Sequence, residues 1–284
     1  MEKRSRNSIL CPHCRSLISL DEERCPYCGL RNPGSRWKSL SFGRDLLGPD
    51  RIIKNIISIN VGMFILSILI NPASIGFSAN PLSFLSPGSK SLLLLGATGT
   101  IPIIQFHRWW SVLSANYLHG SILHIFFNMI VLWQIGPFVI QEYGSYRMFS
   151  IFTLSGVGGY LVSYAAGVPF TLGASAAVCG LIGAALYFGK SRGGHYGQMV
   201  YRQVGAWVIG IFIFGFLVRG VDNWAHGGGL VCGVLTGFLL GYREREEENF
   251  YHKLLAVICA VATLGALIWA VFWALVIVLY GRLS

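Results

Sequence analysis

Four polar side chains stand where an apolar chain has least use for them. Ser175 lies in Gly173-Ala-Ser-Ala176 and His226 in Ala225-His-Gly-Gly-Gly229, each opening a hydrophobic segment. His124 and Asn128 are four residues apart in His124-Ile-Phe-Phe-Asn128, a spacing that puts imidazole and carboxamide on one helical face. A hydroxyl nucleophile, an imidazole base and two hydrogen-bond donors are the set that acyl transfer requires. Each has a bland reading alone: an interhelical hydrogen bond for the His124–Asn128 pair, plain helix packing for the glycines. Held together at one depth inside a bilayer, they point to chemistry.

A second constellation is soft. Cys11-Pro-His-Cys14 and Cys25-Pro-Tyr-Cys28 are two C-x-x-C knuckles separated by ten residues. Two such turns facing each other make a closed tetrahedral thiolate site, the pattern of structural Zn²⁺, with His13 left over. No open coordination position is implied, so this metal is expected to fold a segment too small for a core of its own rather than to catalyse.

The elements that must hold these residues follow from composition. Of 284 residues, 54% are hydrophobic and 12% charged, about half the charged share of a soluble domain. Apolar tracts fall at 52–70, 119–141, 147–167, 175–189, 203–218, 224–241 and 254–280, most long enough to span a hydrocarbon core. With the N-terminus cytoplasmic, 18 of the 22 Lys and Arg lie inside, the others being Lys90, Arg108, Arg219 and Arg282. That bias fixes the orientation. The net charge of +10 then reflects topology and attraction to anionic lipid, and no nucleic-acid partner is expected. No cleavable signal peptide is visible, the first 50 residues being polar. The expected divisions are 1–36 (four-cysteine unit), 37–51 (linker), 52–241 (six-helix core), 242–253 (charged, solvated connector) and 254–281 (seventh helix). Outside the first span, 71–118 is broken by Pro and Gly yet apolar, as a segment lying in the interface would be.

Spans two, four and six run in one direction, with their polar residues near their outer ends. From Ser175 to Gly189, span four is about 22 Å of helix against a core of about 30 Å. Its N-terminus therefore starts below the surface, with 167–173 dipping in as irregular backbone that protein or water must satisfy. Span six carries Gly229, Gly233, Gly237 and Gly241 at four-residue intervals, with His226 at their head. Span four offers Ala176, Cys179, Gly180, Gly183 and Ala184, so the two helices are expected to pack closely and bring Ser175 against His226.

Taken in order, His124-x-x-x-Asn128, Gly173-x-Ser175 and Ala225-His226-x-x-Gly229-x-x-x-Gly233 resemble the rhomboid family of intramembrane serine proteases. The resemblance covers about 52–241. It implies an all-α polytopic membrane fold, a six-helix core plus one C-terminal transmembrane helix, preceded here by a small zinc-ribbon-like domain of four cysteines. It implies a Ser175–His226 dyad without a carboxylate, with His124, Asn128 and the Ser175 N–H holding the oxyanion, and no catalytic cofactor. Substrates would be single-span membrane proteins within the lipid bilayer, and a protein partner for the zinc-binding unit is a further expectation. The location implied is a bacterial cytoplasmic membrane. Asp222, four residues before His226, reads as a helix cap rather than a third triad member. Three positions depart from the family pattern: Ala176 stands for a glycine, Cys179 for an aromatic residue, and Ser111 for the arginine after Trp110. The competing function is a silent rhomboid-like protein that binds membrane clients. A transporter would need acidic residues within spans, and Asp222 and Glu142 lie at span ends.

Overall fold

The computed structural model describes residues 8–11, 13–20, 22–31, 33–34, 47–49, 51–77, 84–218 and 220–283. Most of the linker expected at 37–51 lies outside the described residues. The chain divides into two units between Gly48 and Pro49.

In the first unit, β1 (Ser8–Leu10) and β2 (Leu17–Ser19) pair antiparallel, with Ile9 opposite Ile18. Ile18, Cys11 and Cys25 are buried together, with Ile9, Leu30, Cys14 and Cys28 packed around them. So few apolar side chains cannot offset the ordering entropy of the segment.

The second unit is helical. Its long helices are α1 (Ile52–Ile70), α4 (Ile122–Tyr143), α5 (Ser145–Ala165), α6 (Ser175–Arg192), α7 (Gly194–Leu217), α8 (Asn223–Leu240) and α9 (Phe250–Leu283), with short α2 (Ser89–Leu94) and α3 (Ser111–Ser114) between the first two. This is an all-α polytopic membrane protein. Five of the long helices are long and apolar enough to cross a bilayer; α6 and α8 fall short of that measure. Each has only 18 residues and spends several on Gly, Ser or His. Yet α6 is the central helix, packed against α4, α5, α7 and α8. Neighbouring protein, not lipid, surrounds most of it, so it does not need high hydropathy.

Segment 71–118 is broken as its Pro and Gly content predicts: a 3-10 turn (Pro72–Ser74), β3 (Gly76–Phe77) paired with β4 (Phe84–Ser86), α2, a π turn (Ile101–Gln105) and α3. It nevertheless buries Leu92, Leu95, Ala97 and Ile103. Its Thr98 exchanges both backbone hydrogen bonds with Thr171 (3.0 and 2.7 Å), and the N–H groups of Thr100 and Ile101 donate to the carbonyls of Val168 and Pro169. Much of the irregular stretch before Ser175 is thus satisfied by protein.

Two differences from the sequence reading have local causes. Helix α7 begins at Gly194, well before residue 203, because its polar first turns are held by neighbouring groups: Arg192 lies over the Tyr196 ring at 4.8 Å, and the Tyr196 hydroxyl donates to Glu142 at 2.8 Å. The charged connector after α8 is also more than a solvated run. The Glu248 carboxylate accepts the N–H groups of Tyr146 and Arg147 at 2.8 and 3.0 Å, capping α5. Gly144, at φ +98°, leaves room for it where a side chain would collide. Buried Arg147 then donates to His252 Nδ1 and to the carbonyls of Tyr143, Gly241 and Glu246.

Candidate active site

Helices α6 and α8 run parallel in close contact, and small residues permit it. A side chain at Gly229 would strike the Ala176 carbonyl, and one at Gly233 the Gly180 carbonyl. At Gly237 it would meet Ala184 Cβ at 3.1 Å. The stripe read from the sequence is therefore the interface itself. His226 sits one turn before Gly229 and so stands level with the residues that lead into Ser175. It is 8% exposed, and its Nδ1 is buried without a hydrogen-bond partner.

Ser175 is the first residue of α6. Gly173, at φ +128°, turns the chain into the helix, a conformation that glycine adopts without strain. A Cβ at Gly173 would lie 2.7 Å from His124 Nε2 and 3.6 Å from Ser175 Oγ. The missing side chain is what lets the imidazole and the hydroxyl approach one point. The turn is fixed from three directions: Gly173 N–H donates to the Ala115 carbonyl (2.9 Å), the Tyr160 hydroxyl donates to the Gly173 carbonyl (2.5 Å), and Ala174 N–H donates to His119 Nε2 (3.5 Å).

His124 is set by its own loop. Ser121 caps α4, its hydroxyl accepting the His124 N–H at 3.2 Å, and Gly120 N–H donates to His124 Nδ1 at 3.3 Å. An accepting Nδ1 assigns the ring proton to Nε2, the nitrogen beside Gly173. The His119 ring stands edge-on to it, with centroids 5.0 Å apart. Asn128 is buried and gives one amide N–H to the His124 carbonyl at 2.8 Å, keeping the other. The first N–H groups of α6 have no intrahelical acceptor. A neutral N–H donor, an amide and free backbone donors around a serine hydroxyl form a site suited to a developing oxyanion.

Ser175 and His226 share no hydrogen bond in this structure; such contacts often tighten only when substrate binds. Asp222 caps α8: its Oδ1 accepts the Ala225 N–H at 3.0 Å and its Oδ2 the Ser163 hydroxyl at 2.5 Å. Both oxygens are engaged away from the imidazole, in keeping with the cap reading. His119, Tyr160 and Ser121 were not picked out from the sequence. A histidine five residues before His124 was the available signal for the first; Tyr160 follows a run of glycines in α5 and gives none.

In the N-terminal unit the four sulfurs of Cys11, Cys14, Cys25 and Cys28 lie within 4.8 Å of one another. Cys11–Cys28 and Cys14–Cys25 are each 3.6 Å apart, too far for disulfides. They are close to the roughly 3.8 Å edge of a tetrahedron with metal–sulfur bonds of about 2.3 Å. The Ser16 hydroxyl and backbone hydrogen bonds hold the Cys14 thiol down to about 6. Although a Leu30 backbone hydrogen bond lowers it, desolvation and the neighbouring thiols push Cys28 up to about 12. The donor set fits a metal ion.

Residues 107–243 match the rhomboid domain. The chain is 33% identical over 181 residues to rhomboid protease GluP of Bacillus subtilis, covering 62% of this chain and 34% of that protein. It is 33% identical over 186 residues to the mitochondrial RHOMBOID-like protein 6 of Arabidopsis thaliana, covering 62% and 61%. RHOMBOID-like protein 4 of the same plant is 34% identical over 163 residues, covering 57% and 41%. The chain thus spans between about a third and three-fifths of the length of these relatives. By its motifs, its helical architecture and these matches, the chain belongs to the rhomboid family.

Proposed function

We propose that the chain is an intramembrane serine endopeptidase that cleaves single-span membrane proteins through a Ser175–His226 dyad. Ser175 Oγ attacks the scissile carbonyl carbon while His226 takes its proton. The imidazolium returns that proton to the leaving amine, and water then hydrolyses the acyl-serine. The carbonyl oxygen, negative in the tetrahedral intermediate, is held by His124 Nε2–H, Asn128 and the Ser175 N–H. Each donor of this kind contributes about 3 kcal/mol to the barrier reduction.

The observation that carries the reading is the bare Gly173 position, which His124 Nε2 and Ser175 Oγ both approach. The relative that carries the name protease, GluP, supports the reaction class. The N-terminus is cytoplasmic in this proposal, following the Lys and Arg distribution. The candidate site then lies toward the outer leaflet, and the four cysteines hold structural Zn²⁺ in the reducing cytoplasm.

Reconstitution with a single-span test substrate decides the function. Cleavage and labelling of Ser175 by a fluorophosphonate are expected, and Ser175→Ala and His226→Ala should each abolish both. Cleavage that survives in Ser175→Ala overturns the mechanism. Client binding without cleavage or labelling by the unaltered chain establishes the silent, client-binding alternative.

A further inference from the structure

At the end of the bundle remote from Ser175 lies a cavity of about 410 Å³, lined among others by Ile53, Lys54, Trp133, Pro137, Ile140 and Arg243. Its size is that of a small-ligand site. It opens beside the point where α1 meets α4. There Gly136 lets Ile53 seat against α4, a Cβ at that glycine falling 2.8 Å from Ile53 Cδ1. The next residue, Pro137, has no N–H, so the Trp133 carbonyl one turn earlier lacks its i+4 donor. The wall therefore combines an apolar surface with an indole.

Two cations complete it. Lys54 stands in the first turn of α1, and Arg243 follows the end of α8. Both are exposed. The Arg243 backbone is fixed by its N–H to the Glu142 carbonyl at 2.8 Å. Among the described residues neither side chain has a carboxylate partner. Several other cations at this end are engaged: Arg192 pairs with Glu244 at 2.8 Å, Arg147 is buried in its carbonyl cage, and Arg245 donates to Tyr242 and Ser191. Two uncommitted positive charges over an apolar cleft, with an indole beside them, match an anion carried on a hydrocarbon tail.

We infer that this cleft between α1 and α4 binds one anionic phospholipid, its phosphate between Lys54 and Arg243 and its acyl chains along Ile53, Pro137 and Ile140. In the orientation proposed above this is the cytoplasmic leaflet, where anionic lipids and basic residues attract. The site is separate from the candidate dyad and does not depend on its activity.

The test is native mass spectrometry of the purified full chain with phosphatidylglycerol or phosphatidylcholine added. One phosphatidylglycerol per chain should be retained, at least tenfold more tightly than phosphatidylcholine. Lys54→Gln combined with Arg243→Gln should weaken it about thirtyfold, each cation contributing about fivefold. Arg202→Gln combined with Lys253→Gln removes the same charge elsewhere and should leave binding unchanged. The charge-preserving pair Lys54→Arg with Arg243→Lys should keep binding, which separates lost charge from lost fold. Equal weakening by both neutral pairs, or no headgroup preference, overturns the assignment. So does competition by glycerol 1-phosphate at the same concentration as the lipid, since the ligand would then be a soluble phosphate.

Discussion

Ala176 is where the sequence departs from the family pattern nearest the serine, and in place of a glycine its methyl is expected to crowd the oxyanion. Its surroundings argue otherwise. Ala176 is fully buried, and the position a Gly159 side chain would occupy on α5 is 2.9 Å from its Cβ. The methyl therefore fills space that Gly159 leaves open. Gly159→Ala would overpack this contact and also press on the Ala225 carbonyl at 2.6 Å, costing about 2 kcal/mol. Ala176→Gly should cost about 1 kcal/mol through helix propensity alone and leave turnover within about threefold. Combining the two should recover part of the Gly159→Ala loss, an interaction that a double-mutant cycle of melting and cleavage measures. A large rise in turnover from Ala176→Gly would instead place the methyl in the path of the oxyanion.

At the scale of elements, the parallel packing of α6 on α8 sets the depth of both candidate reacting groups, and caps set where each helix begins. Asp222 starts one of them, α8. If its role is the cap, Asp222→Asn keeps the acceptor and should leave both melting and cleavage near their starting values, whereas Asp222→Ala should cost about 1 kcal/mol of stability. A carboxylate orienting His226 would behave differently, with Asn reducing turnover by about 10⁴-fold while the fold stays intact. The pH–rate profiles and melting curves of the two variants separate the cases. The cap, the glycine stripe and the helix start at Ser175 were legible because each is a local pattern with a fixed period or spacing. His119 and Tyr160 were not, because they reach the Gly173 turn from segments whose backbone is irregular or distant in sequence. The early start of α7 was hidden by polar residues that hydropathy counts as loop and that cations and Glu142 hold as helix. The bond from Glu248 to α5 was hidden for the opposite reason: a charge run looks solvated until the N–H groups it caps are known.

At the scale of the whole molecule, the division between Gly48 and Pro49 separates two sources of stability. The helical unit buries a long list of apolar side chains, from Ile52 to Ala274. Among its described residues the first unit buries Cys11, Ile18, Cys25, Pro33 and Leu47 and little else, so a metal held by its four cysteines, as proposed above, would supply most of its folding free energy. Chelation of that metal should therefore unfold the hairpin while the helical unit keeps its melting temperature. Thiols must lose their protons to bind, so metal should also be released as pH falls, and first from variants with fewer ligands. Cys14→Ser or Cys25→Ser should reproduce the chelated state at neutral pH. The measurement is metal content alongside amide exchange, which should rise over residues 8–34 and stay low in α5, α6 and α8. If exchange in those helices rose with metal loss, the two units would not be separately stable, and the metal would support the bundle as well as the hairpin.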